Sequence, residues 1–433
     1  MKLAFIIERR SYYRLLGPII DEALAQGLEV ECWHNYGHPQ TGLKGYQFPS
    51  IALAPTFGNG RPALTPYHEI DELRRWLLQH RADVVIALHP PSRYFADPPR
   101  ESLPKWVGVQ YAAEFFTQDP SWGLLACDVI AVYSDWWVRW VMAYWQQEGR
   151  VSPACEQRLR EKVVVVGFPE LDQVRLINPA AIRRRWGIPP DQPVVALLPF
   201  PGSIHPSFWA RKIFLEPHPL KQAANVVLDG RFKYWPHILH GWTDIRMVQA
   251  VREFCDRQQA HLLVKSRLKT PTPAYTKTLA DTHVVDESDY PSTILEVLSI
   301  ANLCISFYSM AALEAAALGV PNLCLTFPGE DLNDEEGYAE RFDPLFSPRE
   351  GGIFQFRGVS TTMPIPLAIQ RLPASSFADF PHDPAARQAY MKQFLGYDGG
   401  QSSRRVLEAI HRLQAGQAVQ VSDAAPGGRL MRR

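Results

Sequence analysis

Residues 303–327, LCISFYSMAALEAAALGVPNLCLTF, decide the fold. Leu303 to Phe307 is a short, mostly apolar run, the pattern of a strand buried on both faces. Tyr308-Ser309 makes a turn, and Met310 to Leu318 is built from Ala, Leu, Met and one Glu, all strong helix formers. Gly319 supplies the residue that ends a helix, Pro321 prevents its continuation, and Asn322 to Phe327 reads as a second strand. Strand, helix and strand make one βαβ unit, so the stretch predicts an α/β protein with parallel sheets covered by helices.

Two residues of this unit point beyond scaffolding. Ser309 lies at the start of the predicted helix, where free backbone N–H groups and the helix dipole favour phosphate. Glu314 is the only charge in that helix. Taken singly, Ser309 reads as an N-cap and Glu314 as a solvent-facing side chain. Together, at the C-terminal edge of a parallel strand, they occupy the place where open α/β sheets bind nucleotides.

The pattern S-x(4)-E-A-x-x-x-G-x-P, carried by Ser309, Glu314, Ala315, Gly319 and Pro321, resembles the donor-site signature of GT-B glycosyltransferases. That resemblance implies two Rossmann-like, doubly wound domains facing each other across a cleft. It also implies that Glu314 binds the ribose hydroxyls of a nucleotide sugar and that the turn through Ser309 and Met310 meets the phosphates. The segment I-S-F-Y-S is similar to T-D-Y-S-S of the CDP-glycerol glycerophosphotransferases, with Phe307 in place of the Asp and Met310 in place of the second Ser.

Length and composition fit two soluble domains. A chain of 433 residues exceeds what one core supports. Lys plus Arg and Asp plus Glu number 45 each, so no basic field argues for nucleic acid. The six cysteines are scattered without a C-x-x-C pair, which reads as reduced thiols in a cytoplasmic protein. MKLAFIIERR has too short an apolar run for a signal peptide and reads as a first strand. No apolar run is long enough to span a membrane, although the aromatic-rich stretches 136–145 and 206–242 are compatible with peripheral contact at the inner membrane face.

Working outward towards the N-terminus, Lys2 to Ile7, Glu29 to His34, Asp83 to Leu88, Trp106 to Tyr111 and Cys127 to Ser134 read as strands. Leu15 to Gln26, Tyr67 to His80 and Asp135 to Gln147 read as helices, and a short strand is expected around Ile51 to Leu53. The loop Glu8 to Arg14 has no glycine fingerprint of a dinucleotide site, but its three arginines could meet an anionic acceptor. His89 and Glu114 each follow a strand end and are the candidate general bases, the alternatives being a structural His and a helix-capping Glu. The aromatic face of 135–147 (Trp137, Trp140, Val141, Tyr144) reads as core packing.

VVVVGFPELD, residues 163–172, resembles through its V-x-G-x-P-x-x-D pattern the segment closing the N-terminal domain in CDP-glycerol glycerophosphotransferases and UDP-N-acetylglucosamine 2-epimerases. The close Asp398-Gly399-Gly400-Gln401-Ser402-Ser403-Arg404-Arg405-Val406 resembles their D-G-x-A-S-x-R-V. Residues 1–177 are therefore expected to form an acceptor domain and 193–396 a nucleotide-donor domain, with a closing helix over 397–414 and a disordered tail over 415–433.

In the second half, Val194 to Phe200 is a strand whose exit loop Pro201 to His205 offers Gly202 for close backbone approach and Ser203 for a phosphate contact, with His205 beside them. His261 to Lys265 is a strand ending in Lys265-Ser266-Arg267, a turn similar to the K-x-H-P of the glycerophosphotransferases with Arg267 where they have His. Its two cations suit a diphosphate. Residues 206–243 read as a loop-rich flap, and Ile353 to Phe356 as an edge strand. His237 and His240 lack partners at metal-ligand spacing, and the acidic run 329–340 lacks a D-x-D pattern, so no metal site is expected.

The expected function is a nucleotide-sugar-dependent glycosyltransferase of surface polysaccharide or glycoconjugate synthesis. Its donor would be UDP-, GDP- or CMP/CDP-linked, its acceptor a carbohydrate or a lipid-linked one, and no further cofactor would be required. The donor-site candidates are Gly202, Ser203, His205, Lys265, Arg267, Ser309, Met310 and Glu314. A CDP-glycerol-type glycerophosphotransferase, a UDP-sugar 2-epimerase and a non-catalytic nucleotide- or glycan-binding protein remain alternatives.

Overall fold

The computed structural model describes residues 1–36, 52–96, 102–111, 124–147, 149, 151–199, 219–228, 230, 232, 235, 245–266, 274–285, 290–326, 349–380, 382–396, 400–417 and 419. These divide into two compact units. One combines the residues up to Asp172 with those from Lys392 onward, and the other runs from Gln173 to Met391.

The first unit is built on strands β1 (Lys2–Ile7), β2 (Glu29–Asn35), β3 (Ala63–Tyr67), β4 (Val84–Ala87), β5 (Lys105–Val109), β6 (Val129–Val132) and β7 (Val163–Val165). They lie in the order β3-β2-β1-β4-β5-β6-β7, and every pairing is parallel. β4 and β6 are buried along their whole length, as expected of central parallel strands covered on both faces. The chain winds outward from β1 to β3, then returns to place β4 on the other side of β1. That reversal makes the β1/β4 boundary the topological switch point of the sheet.

The structure corrects the sequence reading of this half at three places. The helix expected from Tyr67 starts at Ile70, because Ala63–Tyr67 pairs with β2 and Tyr67 is buried at its end. Pro66 fits there because β3 is an edge strand, where a missing N–H costs no ladder bond. Residues 52 and 53 are not in a strand, and Ile51 lies outside the described residues. A helix at Pro153–Lys162 was not anticipated. Ser152 caps it, its hydroxyl accepting from the Cys155 N–H at 3.2 Å, and Pro153 takes the first position.

The unit is closed by chain that returns more than two hundred residues later. Ser134 Oγ donates to the Gln393 carbonyl at 2.7 Å, and Trp137 Nε1 donates to the Phe394 carbonyl at 2.8 Å. Trp137, Trp140 and Trp145 are buried, so this face of the aromatic helix is core. Gly396 has φ +74°, and a Cβ there would meet the Tyr133 carbonyl oxygen at 2.3 Å; no other residue fits. The helix Ser402–Gln414 then packs on the helix Tyr12–Ala25. Its first N–H groups are capped by Asp172, which accepts from Ser402 at 3.1 Å and Ser403 at 2.7 Å. The motif segments 163–172 and 400–406 thus meet inside one unit, with Arg405 also donating to the Val166 carbonyl.

The second unit carries β8 (Val194–Leu197), β9 (His261–Ser266), β10 (Thr282–Val285), β11 (Leu303–Ser306), β12 (Asn322–Thr326) and β13 (Ser360–Pro364). Their order is β10-β9-β8-β11-β12-β13, again all parallel, with the switch point between β8 and β11. The opening βαβ unit is β11, the helix Ala311–Ala317 and β12, closed by Gly319 at φ +75°. Ile353–Phe356 is not the edge strand; β13 takes that place. A buried polar chain accounts for the register. Ser306 Oγ donates to Asn322 Oδ1 (3.0 Å), Asn322 Nδ2 to Ser360 Oγ (2.9 Å), and Ser360 Oγ to the Phe354 carbonyl (2.9 Å).

Candidate functional site

In the second unit, Lys265 is buried near the C-terminal end of β9. Ser309 and Met310 are half-buried just past β11, on the other side of β8. These residues therefore gather at the strand edge where open α/β sheets take ligands. Ser309 Oγ accepts from the Ala311 N–H at 3.2 Å and so closes the first turn of the helix. The preceding Tyr308 has φ +38°, a left-handed conformation that costs a non-glycine residue free energy. It is held by its N–H donating to Cys324 Sγ at 3.3 Å and by an edge-on contact with Phe354.

Glu314 does not face water. It is 4% exposed, inside a helix whose first six residues are all buried. Its charge adds to burial in pushing the Cys304 thiol pKa up, and burial with the neighbouring Cys324 and Glu314 raises that of Tyr390. Gly202, Ser203, His205 and Arg267 lie outside the described residues, as do the flap histidines His218, His237 and His240 and the acidic run 329–340.

In the first unit, the switch point between β1 and β4 holds a polar cluster. His89, just past β4, is buried, and its Nε2 lies 3.0 Å from Tyr12 Oη and 3.7 Å from Glu8 Oε2. Glu8, just past β1, accepts from Tyr94 Oη at 2.8 Å and has Arg93 Nε at 3.7 Å. Trp106 Nε1 donates to the His89 carbonyl at 3.1 Å, and the Tyr111 ring stands edge-on to the imidazole. Burial lowers the His89 pKa below the ordinary histidine value, Glu8 opposing and Arg93 and Arg9 reinforcing the shift. Burial raises the Tyr12 phenol pKa, so it keeps its proton. The result is an imidazole that burial holds neutral, against a phenol that keeps its proton, with the Glu8 side chain beside both.

Of the two candidate bases, His89 is in this cluster and Glu114 lies outside the described residues. Arg14 has its Nε 3.1 Å from Glu170, a fully buried carboxylate, so its charge is already engaged within the unit. Glu8, Tyr12 and Tyr94 were not singled out from the sequence. Glu8 directly follows the apolar run of β1, a signal that gains meaning only once β4 is known to lie beside β1. His34, also missed, is buried at the end of β2, stacked on Tyr13 and edge-on to Tyr36, with its pKa lowered by burial to about 4.

No protein-family model and no curated protein matches this chain. Solved structures do. The wall teichoic acid polymerase TagF matches with a TM-score of 0.56 at 11% identity, over 96% of this chain and 89% of that one. A protein assigned as a UDP-N-acetylglucosamine 2-epimerase from Listeria monocytogenes matches at 0.54 and 12%, over 98% and 99%. S. aureus MnaA, in a co-structure with UDP, matches at 0.50 and 12%, over 98% and 100%. With its two parallel sheets, the chain has the GT-B fold. The polymerase TagF and UDP-N-acetylglucosamine 2-epimerases share that fold with it.

Proposed function

We propose that this chain is a nucleotide-sugar-dependent glycosyltransferase acting in surface polysaccharide or glycoconjugate synthesis. The observation that carries the reading is the burial of Glu314 beside the switch point of the second sheet. Glu314 is the only side chain of the helix Ala311–Ala317 able to accept hydrogen bonds, and it stands by the edge where open α/β sheets bind ligands, which suits the ribose hydroxyls of a donor. On this reading Lys265, with Arg267, Gly202, Ser203 and His205 and the backbone of Ser309 and Met310, holds the diphosphate and stabilises the charge it gains on leaving. His89 or Glu114 takes the proton from the acceptor hydroxyl. The geometry favours His89, which burial keeps neutral and whose imidazolium Glu8 would stabilise.

The test is a thermal-shift panel of UDP, GDP, CDP, CMP and ADP on wild type and Glu314→Ala. A ligand that binds the folded chain alone raises its melting temperature. One nucleotide is expected to shift wild type and not the variant; no shift with any of the five would sink the donor site.

A UDP-sugar 2-epimerase is a second reading, favoured by the Glu8–His89–Tyr12 cluster, since elimination and re-addition need several proton-transfer groups together. Incubation with UDP-sugars in the absence of acceptor separates the two. Proton NMR would show a C2 epimer for the epimerase and unchanged sugar or slow hydrolysis for the transferase.

A further inference from the structure

We propose that Tyr12 is a positioning residue for His89: its hydroxyl donates to Nε2, so the neutral ring carries its proton on Nδ1 and offers its lone pair at Nε2. Tyr12 opens the helix Tyr12–Ala25 that follows β1, and His89 lies just past β4, so the switch point of the first sheet brings them together. Both are buried, and Tyr12 Oη lies 3.0 Å from His89 Nε2. Which of the two donates follows from their other partners. Among the described residues the Tyr12 hydroxyl has no hydrogen bond except the one to His89, and His89 Nδ1 has none. If Tyr12 donates, one buried group is left without a partner, at Nδ1. If an Nε2–H donates to Tyr12 instead, two are left, Nδ1 and the Tyr12 O–H. Glu8 does not alter that count, since its Oε2 lies 3.7 Å from Nε2, beyond hydrogen-bonding distance. The third form, an imidazolium, is disfavoured by burial of the ring, which with Arg93 and Arg9 outweighs Glu8.

The catalytic consequence rests on the reading of His89 as general base; the tautomer does not. The nitrogen able to accept a proton is Nε2, the one beside Glu8. In the transfer the acceptor hydroxyl replaces that of Tyr12 as the donor to Nε2. The acceptor's O–H bond breaks, an Nε2–H bond forms, and the electron pair stays on the acceptor oxygen to attack the donor sugar. The new proton then lies on the side of the ring that faces Glu8 Oε2. A second buried phenol holds that side chain in place, Tyr94 Oη donating to Glu8 Oε1 at 2.8 Å. With the proton on Nε2 from the start, the lone pair would sit on Nδ1, the nitrogen without a hydrogen-bond partner. A histidine base with its proton on the wrong nitrogen keeps its place in the fold and loses its activity.

The experiment is heteronuclear NMR of the imidazole nitrogens of the full chain at neutral pH, with isotope-labelled histidine. The His89 signals are those absent from His89→Gln. Wild type is expected to show a protonated Nδ1 and an unprotonated Nε2. In Tyr12→Phe, which keeps the ring and loses the donor, Glu8 Oε2 is the acceptor on the Nε2 side, and the two nitrogens should exchange character. A wild-type ring protonated on Nε2, or on both nitrogens, would overturn the proposal, and that result needs no variant of Tyr12 to fold. So would a Tyr12→Phe spectrum identical to that of wild type. In turnover with the sugar conjugate of whichever nucleotide shifts the wild type, kcat of Tyr12→Phe should fall about 10²-fold at unchanged KM. A fully active Tyr12→Phe beside an inactive His89→Gln would overturn the proposal as well. A fully active His89→Gln would sink the base reading instead, and the wild-type spectrum would still decide the tautomer.

Discussion

At the scale of single residues, burial decides the chemistry of the histidines. His34 has its pKa lowered from 6.5 to about 4 by burial, so the folded chain resists a proton that the unfolded chain accepts. Its stabilising effect is complete above pH 6.5 and declines as pH falls from there towards about 4. The full difference is on the order of 3 kcal/mol. His34→Phe, which keeps the stacking on Tyr13, should flatten the stability profile in that window, as measured by denaturant melts at neutral and mildly acidic pH. His89 is shifted in the same direction and contributes to the same slope. If it is the general base, His89→Ala should lower kcat by about 10²- to 10⁴-fold. The nucleotide-induced thermal shift should be unchanged in that variant, because His89 and Glu314 lie in different units.

At the scale of elements, the helix Ser402–Gln414 depends on a cap supplied from 230 residues away along the chain. Asp172→Ala removes the acceptor of two first-turn N–H groups and is expected to cost about 1–3 kcal/mol. Hydrogen exchange should quicken first in residues 402–406, and Asp172→Asn should restore part of the loss because one amide oxygen still accepts. The βαβ unit at 303–326 was legible because its signals are local: an apolar run, an Ala-rich helix, a glycine at positive φ. β3 and β13 were not legible. Both are edge strands of mixed polarity, and each exists because a neighbouring strand offers it a ladder: β2 for one, β12 with its Asn322–Ser360 bond for the other.

At the scale of the molecule, the second unit is continuous in the described chain while the first is assembled from two distant segments. A chain of residues 173–391 is therefore expected to fold alone and to keep the nucleotide-dependent thermal shift. Residues 1–172 alone lack Val406, Leu407 and Ile410, which are buried in the intact chain, and should melt without a cooperative transition in circular dichroism. The GT-B fold is shared at 11–12% identity with solved structures, and in this chain what builds it is apolar parallel strands, which many sequences can supply.

The sequence by itself determined the α/β class, the parallel strands of both sheets apart from β3 and β13, and the place of Ser309 and Glu314 at a strand end. These follow from periodicity and from residues such as Gly319 and Pro321 that act on their immediate neighbours. Only the tertiary structure decided that Glu314 is buried, that Arg14 is committed to Glu170, and that Glu8, Tyr12 and His89 form one cluster. Burial and proximity across strands arise from the order in which strands pair, and no local pattern encodes that β4 returns to lie beside β1.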